Sequence, residues 1–122
     1  MEEVHDLFPE QPYKTRVWVT RLGEREMDDL VPDWLAAKLE IEAEKGLADY
    51  RGPALRPEGD GVFAFGTQES VVRIAGYFHN DNRQHYVIGG AYRKKGNKIG
   101  AKGKAVIKRV AELKATGVRF VE

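Results

Sequence analysis

No cysteine occurs in this chain of 122 residues. Disulfides, thiolate zinc sites and a cysteine nucleophile are excluded, and a reducing, cytoplasmic setting is expected. Long apolar runs are missing too. No stretch is long enough to span a bilayer, so no membrane partner is expected. The opening MEEVHDLFPE is acidic and lacks the apolar core of a secretory signal. Nowhere is there a Ser/His/Asp elbow, an HExxH pair or a Gly-Lys-Ser/Thr phosphate loop. Acidic residues are scarce after position 70. Residues 71–122 hold twelve Lys/Arg and three Asp/Glu, whereas residues 1–70 hold eight and sixteen. The net charge of +1 therefore averages two opposite halves. Such an asymmetry points to a polyanion site on the basic half, or to neutralisation of one half by the other.

What is present suits one globular domain over 1–122. Residues 1–14 contain Pro9 and Pro12 and read as an irregular arm. Arg16–Thr20 alternates around Val17 and Val19 and reads as a strand, which Leu22-Gly23 breaks. From Glu24 to Tyr50 the pattern is helical in two pieces, with Pro32 in the first turn of the second and Gly46 as its stop. Trp34, Leu35, Leu39 and Ile41 form the expected apolar stripe. The segment RGPALRPEGD (51–60) has two Gly and two Pro and reads as a loop. Three strands follow: Gly61–Thr67, Ser70–His79 and Gln84–Tyr92, with Asn80-Asp81-Asn82 as a turn. Lys102–Lys114 is helical, with Val106, Val110 and Leu113 at i, i+4 and i+7; Gly117 ends it and Val118–Val121 reads as a short edge strand. The class is α+β.

Several constellations carry chemistry. Tyr92-Arg93-Lys94-Lys95-Gly-Asn-Lys98, with Lys102 and Lys104 beyond, concentrates cations at a strand end beside glycines that let backbone approach a phosphate. A solvated basic turn gives the same pattern. Arg73, flanked by Val72 and Ile74, needs either an anion or solvent on its face of the strand. His79 and His85 flank the Asn-rich turn. Their spacing matches no usual metal-ligand pattern, so no metal or other cofactor is expected, but His85 suits an acid or base. Tyr92 differs from the other aromatics, which suit core positions, because it adjoins the cations and can stack on a base or donate its hydroxyl.

Residues 52–114 resemble the RelE/HigB toxin superfamily, particularly its phage-derived HigB-like branch. Gly52-Pro53-Ala54-Leu55-Arg56-Pro57 looks like the family's loop. Val72-Arg73-Ile74 looks like its arginine strand, Tyr92-Arg93-Lys94-Lys95 like its Lys-Lys exit, and Ala101–Lys114 like the helix that follows. Two positions depart: Phe63-Ala64-Phe65-Gly66 stands where the branch has Glu-Leu-Arg, and Gly90 where it often has histidine. The resemblance implies a compact RelE-like domain, with an N-terminal strand and helical hairpin packed on a small, mainly antiparallel sheet and a C-terminal helix. It also implies a type II toxin: a ribosome-dependent, metal-free mRNA endoribonuclease that inhibits translation, held by a helix-turn-helix antitoxin. On that reading Arg73 and Lys95 hold the scissile phosphate, Lys94 moves a proton, and Tyr92 or His85 orients a base. Arg93, Lys98, Lys102, Lys104, Lys108 and Arg109 then dock ribosomal RNA. A non-catalytic RNA- or DNA-binding module, or a phage-encoded protein-interaction factor using the acidic half, fits the same composition.

Overall fold

The computed structural model describes every residue except 10, 48, 49, 51 and 80–83. Three helices flank one mixed sheet of seven strands. In chain order the elements are β1 (Glu2–Asp6), β2 (Arg16–Thr20), α1 (Arg21–Leu30), α2 (Asp33–Lys45), β3 (Leu55–Gly59) and β4 (Val62–Phe65). Then come β5 (Val72–His79), β6 (His85–Arg93), α3 (Ala101–Thr116) and β7 (Val118–Val121). The strand order is β3-β4-β5-β6-β2-β1-β7. The β2–β6 and β1–β7 pairs are parallel and the other four pairs antiparallel.

The sheet is larger than the sequence predicts, for two local reasons. The acidic start of the supposed arm is β1, paired on both sides by β2 and β7. The supposed 51–60 loop contains β3, an edge strand. Pro57 is tolerated there because an edge strand can leave its missing N–H on the open side. A tight turn joins β3 to β4, with Gly59, Asp60 and Gly61 all at positive φ (93°, 53° and 79°). The Leu22-Gly23 break is also absent. Thr20 caps α1 by accepting from the Gly23 N–H at 2.9 Å, so the helix begins directly after β2. Pro32 and Gly46 do bound α2 as caps. The Asn80-Asp81-Asn82 turn lies outside the described residues.

Two apolar clusters bury the two faces. On one, Leu35, Leu39 and Ala43 of α2, with Leu47, pack on Phe65, Ile74, Tyr86 and Ile88. The stripe is therefore 35-39-43, and the expected Trp34 and Ile41 are instead 47% and 50% exposed. On the other, Val106 and Val110 of α3 cover Ala75, Tyr77, Val87 and Tyr92.

β6 runs through the centre and carries a bulge opposite Ala75/Gly76. Gly89 and Gly90 sit at that irregularity, and both would aim a Cβ at α3. At Gly89 it would meet Val110; at Gly90 it would meet Val106, Arg109 and the Glu26 carboxylate. The missing side chains let the helix lie close. β2 stops pairing at Ile88, and α1 lies along the edge of β6 beyond. Glu26 of α1 accepts from the Ala91 N–H at 3.1 Å and pairs with Arg109 of α3, whose Nε donates to Gly89 O at 3.3 Å.

This network ties both helices to one strand edge. Glu26→Ala is expected to cost about 1–3 kcal/mol, because it strands a half-buried guanidinium and a backbone N–H. The double variant Glu26→Ala/Arg109→Ala should lose less than the two singles summed, as read by urea unfolding. Simple additivity would show that the two side chains are not coupled.

Candidate nucleic-acid interface

β5 and β6 bring Arg73, Tyr92 and Arg93 to one end of the sheet. Arg73 and Tyr92 are cross-strand partners, on the face covered by α3. The Arg73 Nη1 donates to the carbonyls of Ser70 (2.7 Å) and Val72 (2.8 Å). Among the described residues no carboxylate forms an ion pair with it. Burial pushes its pKa down. Tyr92 and Glu58 act the other way, and Arg56 adds to the lowering. A half-buried guanidinium held only by neutral carbonyls keeps its charge unneutralised by any ion pair among the described residues.

Tyr92 is 2% exposed, and its hydroxyl has no hydrogen-bond partner among the described residues. A buried polar atom left this way is costly unless something supplies the missing bond. Burial, then the charge of Glu58, pushes its pKa up to about 12, against the pull of Arg73, so the group stays a protonated donor. Its ring packs under Gly103, in the first turn of α3, where a side chain would collide with it, so contrary to expectation Tyr92 is a core aromatic and offers no ring face to a base.

The chain leaves β6 through Arg93 and Lys94, whose N–H donates to Val71 O at 2.8 Å. Lys95 and Lys98 then exchange backbone hydrogen bonds (2.9 and 3.1 Å) around Gly96, which holds φ at 61°. The aliphatic stem of Lys95 lies against Gly100, the N-cap of α3. That cap supplies no side-chain acceptor, and the first turn has no acid, only Lys102 and Lys104. Cations at the positive end of a helix dipole repel it, which favours an incoming anion. Lys104 and Lys108 continue along an open groove floored by Ile107 and Ala111, with Glu58 and Asp60 on its other side.

Two expected residues lie elsewhere. Arg109 belongs to the Glu26 network. His85 starts β6, seven residues from Tyr92, roughly 23 Å away along the strand. There its Nδ1 accepts from the Trp18 indole N–H at 3.1 Å, and its ring stands 6.3 Å from His79 and 5.9 Å from Phe120. Phe120 reaches His79 at 4.9 Å although β7 and β5 are four positions apart in the sheet, so the sheet curls strongly here. Arg16 sits 4.4 Å over the Trp18 ring and pairs with Asp6 and Glu122. Among the described residues no three metal-capable side chains gather.

The sequence reading misses Glu58 and Arg56. Both sit inside the Pro/Gly-rich segment, and their only signal was the alternation Arg56–Glu58 on one face of a strand masked by Pro57 and Gly59. No helix among the described residues is long and apolar enough to cross a membrane. No protein-family model, curated protein or solved structure matches this chain.

Two outcomes follow from this geometry. Tyr92→Phe removes an unpartnered hydroxyl, so stability should hold or rise by up to about 1–2 kcal/mol in urea unfolding. A clear loss would mean that the hydroxyl is bonded within the fold. His85 titrates below its ordinary value, held down first by burial, then by Arg16 and His79, with Glu122 opposing. The unfolded chain therefore takes up this proton first, near pH ~6.5. Stability should be full above that pH and decline as pH falls towards the folded pKa. His85→Asn should flatten the decline between pH 7 and 5 in thermal melts; an unchanged decline would place its origin elsewhere.

Proposed function

We propose that this chain is a RelE/HigB-like toxin, a metal-free endoribonuclease that cuts messenger RNA on the ribosome. The observation that carries the reading is the Arg73 guanidinium, without a carboxylate partner, set across from the unpartnered Tyr92 hydroxyl beside the uncapped N-terminus of α3. The order of elements supports the family assignment. A strand, two helices, a run of antiparallel strands and a helix occur in the order the resemblance implies, while β1, β3 and β7 go beyond it.

The chemistry is transfer of a phosphoryl bond within the RNA. The 2′-hydroxyl attacks the adjacent phosphorus, the bond to the 5′-oxygen breaks, and a 2′,3′-cyclic phosphate and a 5′-hydroxyl result. Glu58, whose charge reaches both Arg73 and Tyr92, takes the 2′-proton. Arg73 and Lys95 stabilise charge on the phosphoryl oxygens, Lys94 gives a proton to the leaving oxygen, and Tyr92, buried beneath α3, backs Arg73 from within the core. Lys98, Lys102, Lys104 and Lys108, all exposed, extend the cationic surface towards ribosomal RNA, a salt-sensitive and sequence-blind contact. Arg93 is exposed at the same exit. A helix-turn-helix antitoxin that silences the enzyme would cover this surface.

One observation favours a second reading, a protein-interaction factor. Trp34 and Ile41 stand half-exposed on α2, among the carboxylates of the acidic half. An exposed tryptophan on a helix face is a common interface anchor.

Induced expression followed by primer-extension mapping of cellular mRNA separates the two. Wild type should arrest growth with discrete cuts in translated regions. Lys94→Ala/Lys95→Ala should abolish both while the protein stays folded, and Arg73→Ala should lower cleavage by about 10²–10³. Soluble wild-type protein that produces neither arrest nor cuts would overturn the ribonuclease reading in favour of the interaction factor.

A further inference from the structure

The corner between β4 and β5 borders a half-open cleft of about 220 Å³. Its walls come from three places: Lys38 of α2, Tyr50 and Pro53 after it, and Arg56 with Glu69 on the strand side. Gly66 belongs both to this cleft and to the Arg73 site, since a Cβ there would strike the Arg73 side chain and the Val72 carbonyl. The same corner holds Arg73 through the Ser70 carbonyl. The cleft and the candidate phosphate position are therefore joined by one short loop. We propose that this cleft is a guanine-binding subsite, an inference that rests on the RNA-cleaving reading and names the base next to the phosphate.

Size, walls and donor pattern argue for it. The volume is below that of a typical drug-sized pocket and suits one ring system. Tyr50 and Pro53 offer flat apolar surface for a base face. Glu69 offers two acceptor oxygens, and Lys38 three donors and no acceptor. The Watson–Crick edge of guanine presents two adjacent donors, N1–H and the 2-amino group, beside the O6 acceptor. A carboxylate takes the two donors together and an ammonium takes O6. Adenine would set its bare N1 against the carboxylate, as cytosine would its N3, and uracil has one donor between two acceptors.

Glu69 is poised for this role. Its carboxyl titrates below the ordinary range, held down by local hydrogen bonding in the 67–69 turn and by the charge of Lys38, with desolvation opposing. Arg56 anchors its Nε on Pro53 O at 3.0 Å, at the rim, where its charge also reaches Arg73. That places a second cation where the sugar–phosphate chain would pass between cleft and Arg73.

The test is a ¹⁵N-resolved NMR titration of the intact protein with the 5′-monophosphates of guanosine, inosine, adenosine, cytidine and uridine. Guanosine monophosphate should bind at least about tenfold more tightly than the adenosine, cytidine and uridine nucleotides, with shifts at Ala54 and Gly66–Glu69. Inosine monophosphate, lacking the 2-amino group, should fall between. Glu69→Gln, an exposed change that spares the fold, should erase the preference. Equal affinities for all five, or shifts confined to Lys94–Lys104, would overturn the subsite. Cleavage mapping keeps the two readings apart. Cuts whose guanine preference disappears in Glu69→Gln support both. Cuts indifferent to guanine overturn the subsite alone, and guanosine monophosphate binding in a protein that cuts nothing overturns the ribonuclease alone.

Discussion

Close approach of two helices to one strand is the constraint on which this molecule depends. Helix α3 lies on the face of β6 and α1 along its edge, and the contact forms because Gly89 and Gly90 carry no side chain where the strand bulges. Glu26 and Arg109 then bridge strand and helices with charge-assisted hydrogen bonds. The seating of α3 has a distant consequence. It sets the first turn of the helix over Tyr92 and the N-cap against Lys95, so the packing at the middle of β6 positions the cations at its end. If the helix stood further off, the Tyr92 ring would lose its cover and the candidate site its floor.

The same end of the sheet gives up stability. Arg73 is half-buried without a counter-ion, Tyr92 is buried without a partner, and lysines crowd a positive helix end. Each choice is unfavourable alone. Ion pairs do occur where the protein needs only to be folded: Arg16 with Asp6 and Glu122, Arg119 with Glu3, and Arg109 with Glu26. The contrast between satisfied cations at structural positions and unsatisfied groups at one sheet end is the pattern expected where local rules yield to a ligand.

The opposite charges of the two halves find a place in this picture. α2 packs on the face of the sheet away from α3, whereas Glu26 of α1 and Glu58 and Asp60 around the end of β3 reach α3. Only selected pairs cross between them, of which Glu26–Arg109 is the most enclosed. The remaining lysines of α3 stay exposed, which keeps a cationic surface available to a polyanion.

Periodicity and punctuation in the sequence determined α2, α3, β2, β5, β6 and β7, because their apolar spacing and their Pro or Gly boundaries are local signals. The same reasoning placed Arg73 within β5 and the Tyr92–Lys95 run at the exit of β6. Local signals failed where a neighbour supplied the missing stabilisation. Glu2–Asp6 becomes a strand because β2 and β7 pair with it from both sides, and Leu55–Gly59 because β4 accepts an edge strand containing proline. Trp34 and Ile41 have the composition of a core, but the rotation of α2 on the sheet chose Leu35, Leu39 and Ala43. Tertiary structure alone decided which charged groups meet. The register of β5 on β6 sets Arg73 opposite Tyr92, and the length of β6 carries His85 to the far end. The bulge at Gly89-Gly90 commits Arg109 to Glu26, and the pairing of β3 sets Glu58 on the wall of the groove along α3. Those are contacts between residues distant in the chain, and residue spacing carries no record of a distance that only folding closes.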